Sequence, residues 1–438
     1  MSKAISSLCP ERGDGREAAR AEIEEKLLSL KSEYLPQKSF DKFWLLNTDI
    51  SPQFRPHSPS LASRRYVYKA NNKIKGNKPV GVGYEFSTVG LNCRRPLYGM
   101  REGLWNLPLS MLQIPAAENK NRFTAKQVNR LLDNEELPFG KELTLNALDS
   151  NYLSPEYMAL TFRQKNLVNV IRLASNRNVW KRMTREEQAE RRKSNKSNKG
   201  THCIYGEKYK LNQVDNWILP CDEETTVGIK LASGKKYLVS IRGWNDMMIR
   251  SKRGESMKDK PFRLLCIKLL DPQTLEPIYK RALWLSLCGK RNKEVTLEEA
   301  FWAFRNRFDI EHFFRFGKQN LLLDSFQTPI EENLDNWLEF VSLAYWILWV
   351  AQPMAKHSCP KWQQYDPNMK NKIKYSLMVS PSQVQRQLES IILSFEQSPF
   401  FPKQRIKGKG RKKGMTFPPR KKYPVIKKVK KPKKQGKT

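Results

Sequence analysis

The chain has no CxxC pair among its seven cysteines and only four histidines in 438 residues. That scarcity excludes the usual zinc-site spacings and implies no disulfide framework. No run of 18 uninterrupted apolar residues occurs, so a membrane-spanning helix is not expected. The most apolar segment, WLEFVSLAYWILWVA (337–351), reads instead as a buried helix. The opening MSKAISSLCPERGDG lacks the apolar core of a signal peptide. These absences lead to the expectation of a cytosolic chain without a membrane partner. Acid is the other thing missing: from Lys403 to the C-terminus there are 17 Lys/Arg and no Asp or Glu.

That tail carries 17 of the 36 excess positive charges, which leaves 19 on residues 1–402. Basicity is therefore general, and a polyanion, usually nucleic acid, is the partner it fits. The tail has Gly and Pro but no apolar period, and is expected to be disordered and solvated. Its plainer reading is a charge run that only keeps the chain in solution.

The apolar content of 39% and eleven Trp are enough for a sizeable core. REAARAEIEEKLLSLKSEY (16–34) reads as a charged amphipathic helix. DKFWLLNTD reads as a strand stopping at Asp49, with ISPQFRP as a turn. RRYVYKA and GVGYEFSTVGL give two further strands, and a polar stretch then leads to a helix at TAKQVNRLLDNEE. ELTLNALDSNY is a strand ending at Asp149. SPEYMALTFRQK has a Ser cap and Pro at the first helical position, and NLVNVIRLAS returns as a strand. The order β-β-β-α-β-α-β predicts a mixed α/β layer with two aspartates at strand ends, where open sheets place their sites.

KRMTREEQAERRKSNKSNKG is then a basic linker or helix, and residues from about 205 to 288 are strand-rich. VGIKLASGKKYLVSIRGW forms a hairpin, and FRLLCIKLLDPQTLEPIYKRALWLSLC forms two strands. Helices resume in TLEEAFWAFRNRFDIEHFFRFGKQNLLL, opened by a Thr-x-x-Glu capping box at Thr296. The expected organisation is an N-terminal helical segment (1–40), the first part of the core (41–180), a basic linker and β-rich insertion (181–290), the glutamate helix and a following core helix (291–355), a C-terminal helical region (356–402) and the basic tail (403–438).

FRNRFDIEHFFRFGKQN (304–320) reads as one helix on which Arg307, Glu311 and Lys318 fall within about 40° of each other. A carboxylate on so aromatic a helix is costly unless it is paired or metal-bound. An ion pair with Arg307 at i, i+4 is the plain reading of Glu311. It does not account for Lys318, whereas a face offering carboxylate to metal and cations to phosphate accounts for all three. Hard carboxylate oxygens suit Mg²⁺, and two such ions activate and stabilise the oxygens of a phosphodiester displacement. Asp49 and Asp149 would complete that set. Their plain readings are a turn residue and a loop residue near a helix cap.

The segment resembles the Y-R-E-K signature of bacterial insertion-sequence DDE transposases, Y-x2-R-x3-E-x6-K. Phe304, Arg307, Glu311 and Lys318 stand at those intervals, with Phe in place of Tyr. LLNTDISPQFRPHSP and RRYVYKANNKIKGNKPVGVGYEFS are similar to the family's first-Asp block, LNALDSNYLSPEYM to its second, and IRLASNRNVW to the strand after it. FQTPIEENLDNWLEFVSLAYWIL continues the similarity, which covers roughly residues 15 to 355.

The resemblance implies an RNase H-like fold, a β-rich insertion between Asp149 and Glu311, and cut-and-paste DNA transposition in a prokaryotic cytoplasm, associated with the nucleoid. It implies that Asp49, Asp149 and Glu311 bind two Mg²⁺ or Mn²⁺ ions and that a homodimer acts on double-stranded DNA. It further implies that Arg307, Lys318, Arg172, Arg177 and Phe304 meet DNA, and that Trp284 stacks on a base flipped from a hairpin. The plain alternative for Trp284 is a sheet-core aromatic. Phe304 lacks the signature hydroxyl, and the 48 residues before Asp49 are fewer than the family's usual DNA-binding segment. A catalytically silent DNA-binding remnant and a nuclease without strand joining are the competing expectations.

Overall fold

The computed structural model describes residues 16–68, 80–93, 105–194, 204–230, 234–250, 257, 259–328, 330–356, 379–393, 410, 414–416 and 418–426. Its strands make one mixed 12-stranded sheet flanked by helices. At the middle, β1 (Trp44–Phe54) and β5 (Thr144–Leu148) are parallel, in register from Trp44–Thr144 to Thr48–Leu148. β6 (Leu167–Leu173) extends the parallel set beyond β5. Leu45, Leu46, Leu145, Ala147, Val168 and Val170 are fully buried, on both faces of these strands. This is why the strands read as near-continuous apolar runs rather than alternating ones. On the other edge of β1 lies antiparallel β3 (Val80–Asn92). Its outer edge is shared by β2 (Arg65–Tyr68) and β4 (Asn106–Gln113).

The strand-rich region joins the same sheet. β12 (Leu283–Cys288) pairs antiparallel with β6. The order then runs through β11 (Phe262–Leu270), β10 (Lys236–Met248), β7 (Asn178–Arg182) and β8 (Tyr205–Lys210), with β9 (Glu223–Lys230) also on β10. The segment expected as an insertion thus hydrogen-bonds into the core sheet.

Three local expectations are corrected. ISPQF is not a turn: β1 runs five residues past Asp49, because β3 pairs with it as far as Phe54 although β5 stops at Thr48. Pro52 is tolerated there because that half of β1 has only one strand neighbour. The stretch before the next helix, α2 (Lys120–Asp133), contains β4, whose Asn106, Ser110 and Gln113 are buried. Gln127 of α2 donates to Ser110 Oγ at 2.9 Å and Gln113 Nε2 donates to Ser63 Oγ at 2.9 Å, so part of the polar composition of β4 is satisfied inside. The helix expected across 304–320 is interrupted, as described below.

α3 (Pro155–Thr161) begins as its sequence predicts, with Ser154 accepting from the Tyr157 N–H. α4 (Arg185–Ser194) lies between β7 and β8. α7 (Glu331–Ala351) packs on β4, and α1 (Arg16–Glu33) reaches it through Lys31 and Glu24. There the buried Lys31 ammonium donates to Leu109 O (3.0 Å) and Ser342 Oγ (3.1 Å), and Trp346 donates to Pro108 O (2.8 Å). α7 is buried on one side only, since Phe340, Ile347 and Val350 are exposed. α8 (Pro381–Leu393) packs against α7. No helix among the described residues is long and apolar enough to cross a membrane. Most of the tail, 403–438, lies outside the described residues. Its segment Pro418–Ile426 lies within them and is hydrogen-bonded to the sheet edge.

Candidate active site

The β1–β5 register brings Asp49 and Asp149 to the same level: they follow the paired residues Thr48 and Leu148. Asp149 ends β5 and opens a 3₁₀ turn at Ser150–Tyr152. Beneath the two aspartates runs a buried polar chain. Thr48 Oγ1 donates to Asn146 Oδ1 (2.9 Å), and Asn146 Nδ2 donates to Tyr157 Oη (3.0 Å). Tyr157 Oη donates to Asn169 Oδ1 (3.1 Å), and Asn169 Nδ2 to Thr161 Oγ1 (3.1 Å). One residue from each of β1, β5 and β6 is thus tied to α3, which fixes the strand ends relative to one another.

The third carboxylate arrives on a helix pair. α5 (Leu297–Arg305), opened by the capping box at Thr296 and Glu299, is followed by a 3₁₀ turn at Asn306–Phe308 and then α6 (Asp309–Asn320). The two 3₁₀ steps from Arg307 to Asp309, at about 120° instead of 100°, add roughly 40° of rotation between Arg307 and Glu311. Arg307 is therefore turned off a straight helical stripe with Glu311 and Lys318, although its side chain still reaches Glu311. The turn is held by the sheet. Asn47 Nδ2 of β1 donates to Asn306 O (3.1 Å), Asn92 Nδ2 of β3 reaches the same carbonyl (3.3 Å), and Asn92 Nδ2 donates to buried Asp309 Oδ2 (2.8 Å). Asparagines inside apolar strands, as in WLLNTD and TLNALD, were the visible sign of this framework, which the sequence reading missed.

Arg307, 5% exposed, is the hub. Its Nη2 meets Glu311 Oε1 at 3.0 Å and its Nη1 lies 3.5 Å from Asp49 Oδ2. The guanidinium packs over Phe308 (4.8 Å) and Phe304 (5.7 Å). The intrahelical-type pair expected as the plain reading of Glu311 is present, and the same cation also spans to the strand end. Burial pushes the Asp49 carboxyl up to about 6, opposed by Arg307 and the Ile50 N–H and reinforced by the charges of Asp149 and Glu311. Burial, then Asp49, also holds the Tyr152 hydroxyl well above its ordinary range.

The remaining candidates separate into surface and core. Arg172 and Arg177 are exposed. Lys318 is half-buried and pairs with Asp324 at 3.3 Å. Phe304 is 4% exposed, in the core beside Phe301 and Phe43. Trp284 is 1% exposed, covered by Trp217 and Trp244 at ring separations of 5.6 and 6.0 Å. Both rings as placed are core aromatics with no open face.

Three carboxylates against one guanidinium leave a local excess of negative charge, carried on hard oxygens, which suits divalent cations in chemistry. As the side chains stand, no group of three or more His, Cys, Asp or Glu among the described residues forms a ready metal cage. Arg307 stands between two of the three acids. Neither protein-family models nor curated protein sequences gave a match to the chain.

Proposed function

We propose that the chain is a metal-dependent DNA transposase of the insertion-sequence DDE type, with an RNase H-like core that includes Asp49, Asp149 and Glu311. The observation that carries this reading is the Arg307 bridge: carboxylates 262 residues apart, one ending the parallel part of a central strand and one on a helix, share a single guanidinium. Asp149, on the adjacent strand end, adds its charge to theirs.

Asp49, Asp149 and Glu311 would hold Mg²⁺ or Mn²⁺, which supplies Lewis-acid activation of the attacking and leaving oxygens. The chain's own residues do the rest. Arg307 exchanges a carboxylate partner for a phosphate oxygen, a match its fork geometry favours. Lys318, Arg172 and Arg177 supply positive charge to the DNA backbone. The stiff ladder under Asp49 and Asp149 limits their movement as charge accumulates. Double-stranded transposon ends are the substrate and a homodimer is the acting form.

A second reading, a DNA-binding remnant without catalysis, draws on the same ion pairs, because Arg307 already offsets much of the charge that a cation would. Mg²⁺-dependent nicking of a transposon-end duplex separates the two. Nicking by the wild type that is lost in Asp149→Ala and Glu311→Ala supports the transposase. Equal background in all three supports the remnant.

A further inference from the structure

The stretch Pro418–Ile426, PPRKKYPVI, belongs to a tail whose composition predicts a solvated chain, yet it is anchored. Tyr423 N–H donates to Pro59 O at 2.8 Å, and Ile426 N–H donates to Arg64 O at 2.7 Å. Arg64 Nη2 returns a bond to Tyr423 O at 3.3 Å, and Ile426 forms a parallel bridge with Arg65, the first residue of β2. The segment therefore lies along the outer edge of the sheet, supplying partners to an edge that would otherwise be open.

The anchor is tied to the chain just past the C-terminal end of β1. Arg64 also donates to Pro56 O (3.3 Å). Arg55 donates to Asp324 O (3.3 Å) and Phe326 O (2.5 Å), just beyond α6. Phe54, the end of β1, is about 17 Å along the strand from Asp49 at 3.3 Å per residue. Tyr423, Val425 and Ile426 are half-buried, whereas Arg420, Lys421 and Lys422 are exposed, with Lys421 Nζ over the Tyr423 ring at 5.2 Å. On the adjoining strand Tyr66 and Tyr68 are 52% and 64% exposed.

We propose that Pro418–Ile426 is a docked phosphate clamp: an edge-bound segment that presents Arg420, Lys421 and Lys422 as a fixed row to the sugar-phosphate backbone of duplex DNA. A free tail would have to be ordered when it binds, whereas this row is ordered already, so less of its attraction is lost to entropy. The row has no apolar face of the sort a membrane-surface segment needs. The choice of DNA among polyanions rests on the transposase reading. The clamp itself is read by binding alone.

The test uses the full chain in EDTA with a random-sequence duplex, following affinity across a salt series. Replacing Arg420, Lys421 and Lys422 by Gln removes the charges and leaves the anchor. It should lower the slope of log K against log salt by up to about 2.7, at about 0.9 per phosphate contact. Tyr423→Pro with Ile426→Pro keeps every cation but removes both anchoring N–H donors, and should weaken binding by about tenfold, the equivalent of re-ordering about one residue. An unchanged slope in the Gln variant overturns the clamp. So does unchanged affinity in the Pro variant, since an untethered tail would then suffice. Failure of Mg²⁺-dependent nicking would count against the transposase reading and leave these binding outcomes as they are.

Discussion

Asn92 Nδ2 donates to Asp309 Oδ2 at 2.8 Å, and through that bond a strand of the sheet fixes where a helix begins. Asp309 is 2% exposed and starts α6, so its carboxylate also faces the favourable end of the helix dipole. With Asn47 on the carbonyl of Asn306, the two asparagines hold the 3₁₀ turn that points Arg307 at Asp49.

Replacing Asn92 by Ala should therefore cost about 1–3 kcal/mol, because a buried carboxylate loses a donor. Chemical denaturation measures the loss. Asn92→Asp, which sets a second carboxylate against Asp309, should be the more destabilising of the two.

The shift of Asp49 sets a sign for pH dependence. Its folded-state value is raised from 3.8 to about 6, so the folded protein holds the proton over a range in which the unfolded chain has lost it. Without divalent cation, stability should therefore fall as pH rises from about 4 to 6 and level off above that. The shift corresponds to about 3 kcal/mol at most. Asp49→Asn should flatten this slope and raise Tm at pH 7 while abolishing Mg²⁺-dependent nicking. Calorimetry at several pH values reads the first outcome, and a lower Tm for the variant at pH 7 would contradict it.

Divalent cation supplies a readout independent of turnover. Added Mg²⁺ or Mn²⁺ should raise the Tm of the wild type by mass action, and should do so much less for Asp149→Ala or Glu311→Ala. Equal shifts in all three would mean that the ions bind elsewhere.

Arg307→Lys keeps the charge but cannot fork between Asp49 and Glu311 or lie flat on Phe308. We expect a folded protein with a lowered Tm and nicking reduced by about 10²-fold, a size typical of losing one electrostatic stabiliser. A lysine variant equal to wild type in both would place the role of Arg307 outside the reaction.

Trp284→Ala should cost about 3–5 kcal/mol, the usual penalty for emptying a buried aromatic site. Trp284→Phe, which refills most of it, should recover most of the stability. A protein as stable as wild type after Trp284→Ala, yet defective with hairpin DNA, would restore the base-stacking role.

Much of this was legible from local pattern. Unbroken apolar runs marked β1, β5 and β6. The Ser-Pro and Thr-x-x-Glu signals placed the starts of α3 and α5, and the interval between Arg307 and Glu311 marked the ion pair that forms there. These signals survive because the chemistry of caps and of buried strands acts over a few residues. What tertiary structure decided was whatever depends on distant partners. β4 is a strand despite its polar residues because β3 pairs with its backbone and α2 binds Ser110 from one face. β1 outruns Asp49 because β3 is longer than β5 on that side. The helix breaks at Asn306 because asparagines more than 200 residues away hold its carbonyl. Trp284 and Phe304 are core residues because other rings cover them, and Tyr423 and Ile426 of the basic tail lie at the sheet edge because their backbone N–H groups donate to Pro59 O and Arg64 O. Sequence set the kinds of group available; which of them meet was determined by strand register and burial, and these are properties of the whole sheet.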